Sequence, residues 1–95
     1  MKQPCVYLLA SRRYGTLYVG VTANVVRRVW EHRCHVVEGF TKRHHVTRLV
    51  WYELHASMGS AIRREKAIKE WKRRWKVELI EKSNPGWADL YESLL

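Results

Sequence analysis

The sequence holds no apolar run long enough to span a bilayer, and no apolar stretch near its first residues of the kind a secretory signal carries. Its two cysteines, Cys5 and Cys34, are far apart and form no CxxC pair, which argues against a disulfide framework. No internal repeat, low-complexity tract or linker divides it. The expectation is a cytoplasmic chain with no membrane partner, folding as one domain over residues 1–95. Acid is the other shortage: 9 Asp and Glu stand against 18 Lys and Arg, a formal net charge of +9. Such a bias points to a polyanionic partner, because each neutralised phosphate releases condensed counterions. Nucleic acid leads, an anionic membrane surface follows, and a basic surface with no such partner is the plain alternative.

Apolar and aromatic residues are plentiful. A hydrophobic fraction of 46% with five tryptophans is enough for a core and argues against disorder. Val6 to Ala10 reads as a strand, Ser11 to Gly15 as a turn, and Thr16 to Val21 as a second, alternating strand. Together they form a β-hairpin with Gly15 available for a positive φ. Such a hairpin sets Tyr7 and Tyr18 roughly opposite each other, although strand aromatics favour cross-strand pairing without any further role. Gly20, near the end of the second strand, marks a close backbone or ligand approach.

Thr22 or Asn24 caps a helix expected from about Val25 to about Val37, with Val25, Val29, His32 and Val36 as its apolar stripe. Arg28, His32 and His35 fall on one face beside it. An arginine fork with a histidine can bind phosphate and move a proton; a solvated basic face is the other reading. Glu38 to His45 reads as a loop in which Lys42 and Arg43 are candidate phosphate contacts. Its histidines lack recognised zinc spacing. Val46 to Leu54 is a third strand.

Ser57 or Ser60 caps a long helix, roughly Ala61 to Trp75. Ile62, Glu65 and Ile68 share one stripe, so a carboxylate lies on or beside an apolar face, where it must be paired or hold a metal. A salt bridge to Arg64, Lys69 or a core-edge arginine would satisfy it equally. Basic residues interleaved with Trp71 and Trp75, Lys69 and Arg73 among them, suit a nucleic-acid backbone, or a surface whose tryptophans pack inward. Val77 to Ile80 reads as a short extended piece. Asn84-Pro85 reads as the start of a last helix near Gly86 to Leu94, docked by Trp87, Leu90 and Leu94.

In order, Cys5-Val6-Tyr7, Tyr18-Val19-Gly20, Arg28, His32 and Glu65 resemble the GIY-YIG nuclease superfamily, most of all its small single-domain bacterial members. The late asparagine of that pattern falls on Asn84, so the likeness runs from Cys5 to about Tyr91. Valine replaces isoleucine in both tripeptides, and Cys5 replaces the first glycine. The resemblance implies an α+β fold, a three-stranded antiparallel sheet flanked by helices in the order β-β-α-β-α plus a short C-terminal helix. It implies a metal-dependent endonuclease acting on DNA. In that scheme Tyr18, assisted by Tyr7, activates water and Arg28 stabilises the transition state. His32 relays a proton, and Glu65 holds one Mg²⁺ or Mn²⁺. Lys42, Arg43, Lys69 and Arg73 are then candidate DNA contacts, with Gly20 and Asn84 structural near the site. The alternative is a non-catalytic nucleic-acid-binding module on the same fold. Sequence specificity is not expected of the core itself, which leaves target choice open to supply by a partner protein.

Overall fold

Six residues in a row, Cys5–Ala10, are fully or almost fully buried, and this strand, β1, is the centre of the sheet. A run buried on both faces needs apolar side chains at every position, and the sequence CVYLLA supplies them. In the computed structural model, which describes residues 3–36 and 39–95, β1 pairs antiparallel with β2 (Leu17–Thr22) and with β3 (Arg48–Leu54), in the order β2-β1-β3. Alternation splits the core in two. Val6, Leu8 and Ala10 face Ala61, Ile68, Ile80 and Trp87; Cys5, Tyr7 and Leu9 face Val25, Val29, Val46 and Leu49. Each fully buried aliphatic side chain contributes about 1.5–3 kcal/mol. The strand starts at Cys5 itself, whose thiol burial pushes up to about 11, so it serves as packing rather than as a nucleophile.

The antiparallel sheet with flanking helices is the fold the sequence implies, but several elements differ in detail. Gly15 does not adopt positive φ; Tyr14 does (φ 59°), and its hydroxyl donates to Glu81 at 2.9 Å. Gly15 is small for another reason: a Cβ there would lie 2.3 Å from Ser11 Oγ. Helix α1 spans Val25–Arg33 and is capped by Asn24, whose Oδ1 accepts from Arg27 N at 3.1 Å. Its expected end at Val37 and the loop's expected start at Glu38 lie outside the described residues. The helix stops because His35 is left-handed (φ 55°), which leaves Val36 exposed rather than on the stripe. What was expected to be a loop carries a short helix, α2 (Phe40–His44).

The long helix is two. Ser57 caps α3 (Met58–Glu70) through Ser60 N, then Trp71 and Lys72 turn extended (ψ 149° and 148°) before α4 (Arg73–Ser83). Val77 to Ile80 is therefore helical, not extended. The break has a packing reason. In one continuous helix Ile80 would sit about 18 Å beyond Ile68 and a third of a turn away; the bend returns both to one core. Ala61 takes the buried position beside Glu65 and Ile68, while Ile62 is partly exposed.

The last expected helix is a strap. Asn84 ends α4, Trp87 (φ 56°) is fully buried, and the chain runs along β3 before a 3₁₀ turn at Glu92–Leu94. Leu90 N donates to Leu49 O at 2.8 Å, and Leu49 N donates to Asp89 Oδ1 at 3.4 Å. Leu90 and Leu94 still pack on the core, as the sequence pattern suggested. No described helix is long and apolar enough to cross a membrane.

Candidate active site

Strand register decides how the two tyrosines meet. Tyr7 stands opposite Gly20 and Tyr18 opposite Leu9, so they are diagonal neighbours rather than partners, with ring centroids 6.3 Å apart. Gly20 makes this possible. A Cβ at that position would lie 2.3 Å from Tyr7 Cζ and 2.4 Å from its hydroxyl oxygen. The ring of Tyr7 therefore lies across β2 where a side chain would stand, and its hydroxyl reaches 3.3 Å from His32 Nε2.

His32 is buried on the inner face of α1. Its other ring nitrogen, Nδ1, lies 2.9 Å from Thr41 Oγ1, on α2. Burial, reinforced by the charge of Arg28, lowers the His32 pKa, with Glu31 opposing. The imidazole is thus neutral at neutral pH, and one ring nitrogen accepts while the other donates. Burial also raises Tyr7 well above the ordinary phenol value; Tyr18 adds to this and Arg28 opposes it. Tyr7 stays protonated, so it orients and shares a hydrogen bond rather than acting as a base.

Tyr18 is more open. Its ring lies 5.6 Å from that of His32 and 6.5 Å from that of Phe40, which is itself exposed at the start of α2. Arg28 lines an open groove of about 240 Å³ with Thr22, Asn24, Arg27 and Glu31, and pairs with Glu31 at 3.5 Å. Its guanidinium is near enough to act on both Tyr7 and His32. Glu65 comes from α3. Its side chain is 9% exposed, it pairs with Lys69 Nζ at 2.5 Å, and its charge reaches Tyr7. Lys69 in turn is held protonated by that carboxylate and feels Tyr18. Tyr7, Tyr18, Arg28, His32 and Glu65, 58 positions apart at the extremes (65 − 7), therefore form one electrostatic neighbourhood.

Other expected site residues are placed differently. His35 leaves the Arg28–His32 face and packs against the ring of His45 at 5.8 Å. Lys42 and Arg43 lie exposed on α2, beside the helix position that holds His32. Arg73 donates to the carbonyls of Tyr14 and Gly15 at 2.9 and 2.7 Å, so its guanidinium fastens the hairpin loop to α4. Asn84 works away from the tyrosines: Nδ2 donates to Val50 O and Ala88 O, and Oδ1 accepts from Ala88 N. Thr41 and Phe40 are the residues that sequence reasoning missed. Nothing in the linear spacing announces them, because α2 is too short to show a period.

The donor set bears on a metal. Among the described residues no group of three or more His, Cys, Asp or Glu converges to hold an ion. A single sequestered carboxylate, Glu65, suits a hard divalent cation that keeps most of its water and takes further oxygens from a phosphate.

The model of the family described as GIY-YIG catalytic domain matches residues 3–78. The chain is 37% identical over 86 residues to the UPF0213 protein of Syntrophus aciditrophicus, covering 90% of this chain and 97% of that one. It is 33% identical over 81 residues to the UPF0213 protein of Staphylococcus haemolyticus, covering 85% and 98%. The solution NMR structure of the UPF0213 protein from Bacillus halodurans superposes with a TM-score of 0.57 at 27% identity, covering 95% of each chain.

Proposed function

This chain belongs to the GIY-YIG family, whose superfamily consists generally of endonucleases, and from that premise we propose that residues 1–95 form a single-domain, metal-dependent endonuclease hydrolysing phosphodiester bonds in DNA. The observation that carries the reading is the junction of Tyr7, His32 and Tyr18 beneath the charges of Arg28 and Glu65. Proton transfer, phosphoryl charge stabilisation and cation binding each have a group there.

Tyr18, the more accessible phenol, takes the proton from the attacking water. Arg28 stabilises charge gathering on the phosphoryl oxygens. Tyr7 orients the water and Tyr18, and neutral His32, fixed by Thr41 through Nδ1, is placed to take at Nε2 the proton that the Tyr7 hydroxyl gives up as it receives the one Tyr18 took from water. Glu65 is the residue to hold one Mg²⁺ or Mn²⁺, with Lys69 released toward the DNA backbone. When bound, the cation supplies charge neutralisation at the phosphate and its departing oxygen. Lys42 and Arg43 extend the positive rim on α2, and Phe40 adds an exposed ring beside Tyr18. Target choice is left to a partner protein.

One observation favours a second reading. Glu65 is already neutralised by Lys69 at 2.5 Å, an arrangement that a non-catalytic nucleic-acid-binding module would also tolerate. Nicking of supercoiled plasmid in Mg²⁺ or Mn²⁺ separates the two. Wild type cuts, and Glu65→Ala lowers the rate by about a hundredfold or more, the scale of removing one electrostatic stabiliser. If wild type binds DNA in a salt-dependent way but cuts no nucleic acid offered, the binding module is the better account.

A further inference from the structure

On the helical layer, away from the tyrosine cluster, α3 and α4 meet at Trp71 beside an open groove of about 270 Å³. It is lined by Trp71, Trp75, Glu78, Leu79 and Lys82. The two indoles stand edge to face with centroids 6.4 Å apart. They are not equivalent. Trp71 is partly buried and carries the Arg64 guanidinium over its ring at 5.3 Å. Trp75 is 44% exposed, with the Lys72 ammonium 5.8 Å from its ring centre. A large exposed indole lining an apolar groove is a surface that awaits a partner.

Charge selects that partner. Lys72 sits by the exposed indole and Lys82 in the wall, with Glu78 the one acid among the lining residues. A protein surface covering the groove would have to desolvate these ammonium groups or pair them. A nucleic-acid strand pairs them with its phosphates and lays a base on the indole, which accepts any base because each has a π-face.

We propose that the Trp71–Trp75 groove seats an unpaired base of single-stranded nucleic acid on Trp75, with Lys72 and Lys82 on the flanking phosphates. This narrows the substrate class of the nuclease to strands that carry unpaired nucleotides. It rests on the nucleic-acid part of that reading and not on hydrolysis.

The test is fluorescence anisotropy with labelled short oligo(dT) and with a blunt duplex of equal length, in chelator so that nothing is cut. Trp75→Ala weakens oligo(dT) binding about tenfold, the scale of one base–aromatic stack. It changes duplex binding less than about twofold, and leaves the salt slope unaltered because no cation is lost. Trp75→Phe keeps most of the affinity, and circular dichroism confirms that both variants fold. The proposal is overturned if Trp75→Ala binds oligo(dT) as wild type does, if both ligands weaken equally, or if wild type binds neither. It is also overturned if sedimentation shows a dimer that Trp75→Ala dissolves, which makes a second copy the occupant. Plasmid nicking is read apart: loss of cutting with this discrimination intact removes the hydrolytic reading and leaves the groove standing.

Discussion

Replacing Gly20 with alanine adds one methyl group at the point where the two site tyrosines are set. That methyl would lie 2.3 Å from Tyr7 Cζ, 2.4 Å from the hydroxyl and 2.9 Å from Cε1, so three atoms of a rigid ring must move together. Tyr7 has little room to yield. It is 2% exposed, fixed by β1 pairing on both sides, and stopped at its tip by His32. Overpacking of this kind costs about 1–3 kcal/mol, and losing the Tyr7–His32 hydrogen bond adds about 1 kcal/mol. For 95 residues the unfolding entropy is about 0.2 kcal/mol/K, so a loss of about 2–4 kcal/mol lowers Tm by about 10–20 °C. Thermal and urea unfolding measure it, with Gly86→Ala as the control, since a Cβ there meets nothing within 4 Å. Adding Tyr7→Leu to Gly20→Ala should cost less than the sum of the single changes, because the ring that clashes is gone. A Gly20→Ala protein within about 0.5 kcal/mol of wild type, the range of an ordinary surface change, refutes the argument that glycine is there for the tyrosine.

Thr41→Val keeps the shape of the side chain but leaves His32 Nδ1 buried without its partner; a loss of about 1–3 kcal/mol in urea unfolding is expected. In the DNA-nicking assay the same variant should slow cutting while barely changing DNA affinity, because Thr41 acts only through His32. The pH dependence follows from the lowered His32 pKa. The unfolded chain binds this proton more readily than the folded one, so stability is fully present above the unfolded value of about 6.5 and falls as pH drops below it. Tm measured from about pH 7.5 to about pH 5 should therefore decline, and less steeply in His32→Gln; equal slopes would refute the assignment.

The hairpin, the first helix and the third strand were legible because their signals are local: β-rich runs, a glycine, an Asn24 cap, a Ser57 cap. The gathering of Tyr7, Tyr18, Arg28 and His32 was legible for the same reason, since they lie on consecutive elements. What failed was set by tertiary packing. Nothing in the Trp71-Lys72 dipeptide breaks a helix; the bend exists so that Ile68 and Ile80 share one core. Asn84-Pro85 has the look of a helix start, yet the Asn84 side chain is occupied by Val50 and Ala88 backbone groups, and buried Trp87 pulls the following residues flat. The diagonal register of the tyrosines depends on where Gly20 falls against Tyr7, which alternation alone does not fix.

The strap beyond α4 has a consequence for how the molecule behaves in a crowd. β3 is the outer strand on its side of the sheet, and the outward N–H and C=O of Leu49 are the kind of unpaired row on which another chain nucleates cross-strand aggregation. Asp89 and Leu90 occupy both groups, and the ion pair from Arg33 to Asp89 ties that guard to the helix carrying Arg28 and His32. The same clasp thus shields a sticky edge and steadies helix α1, so loosening one exposes the other.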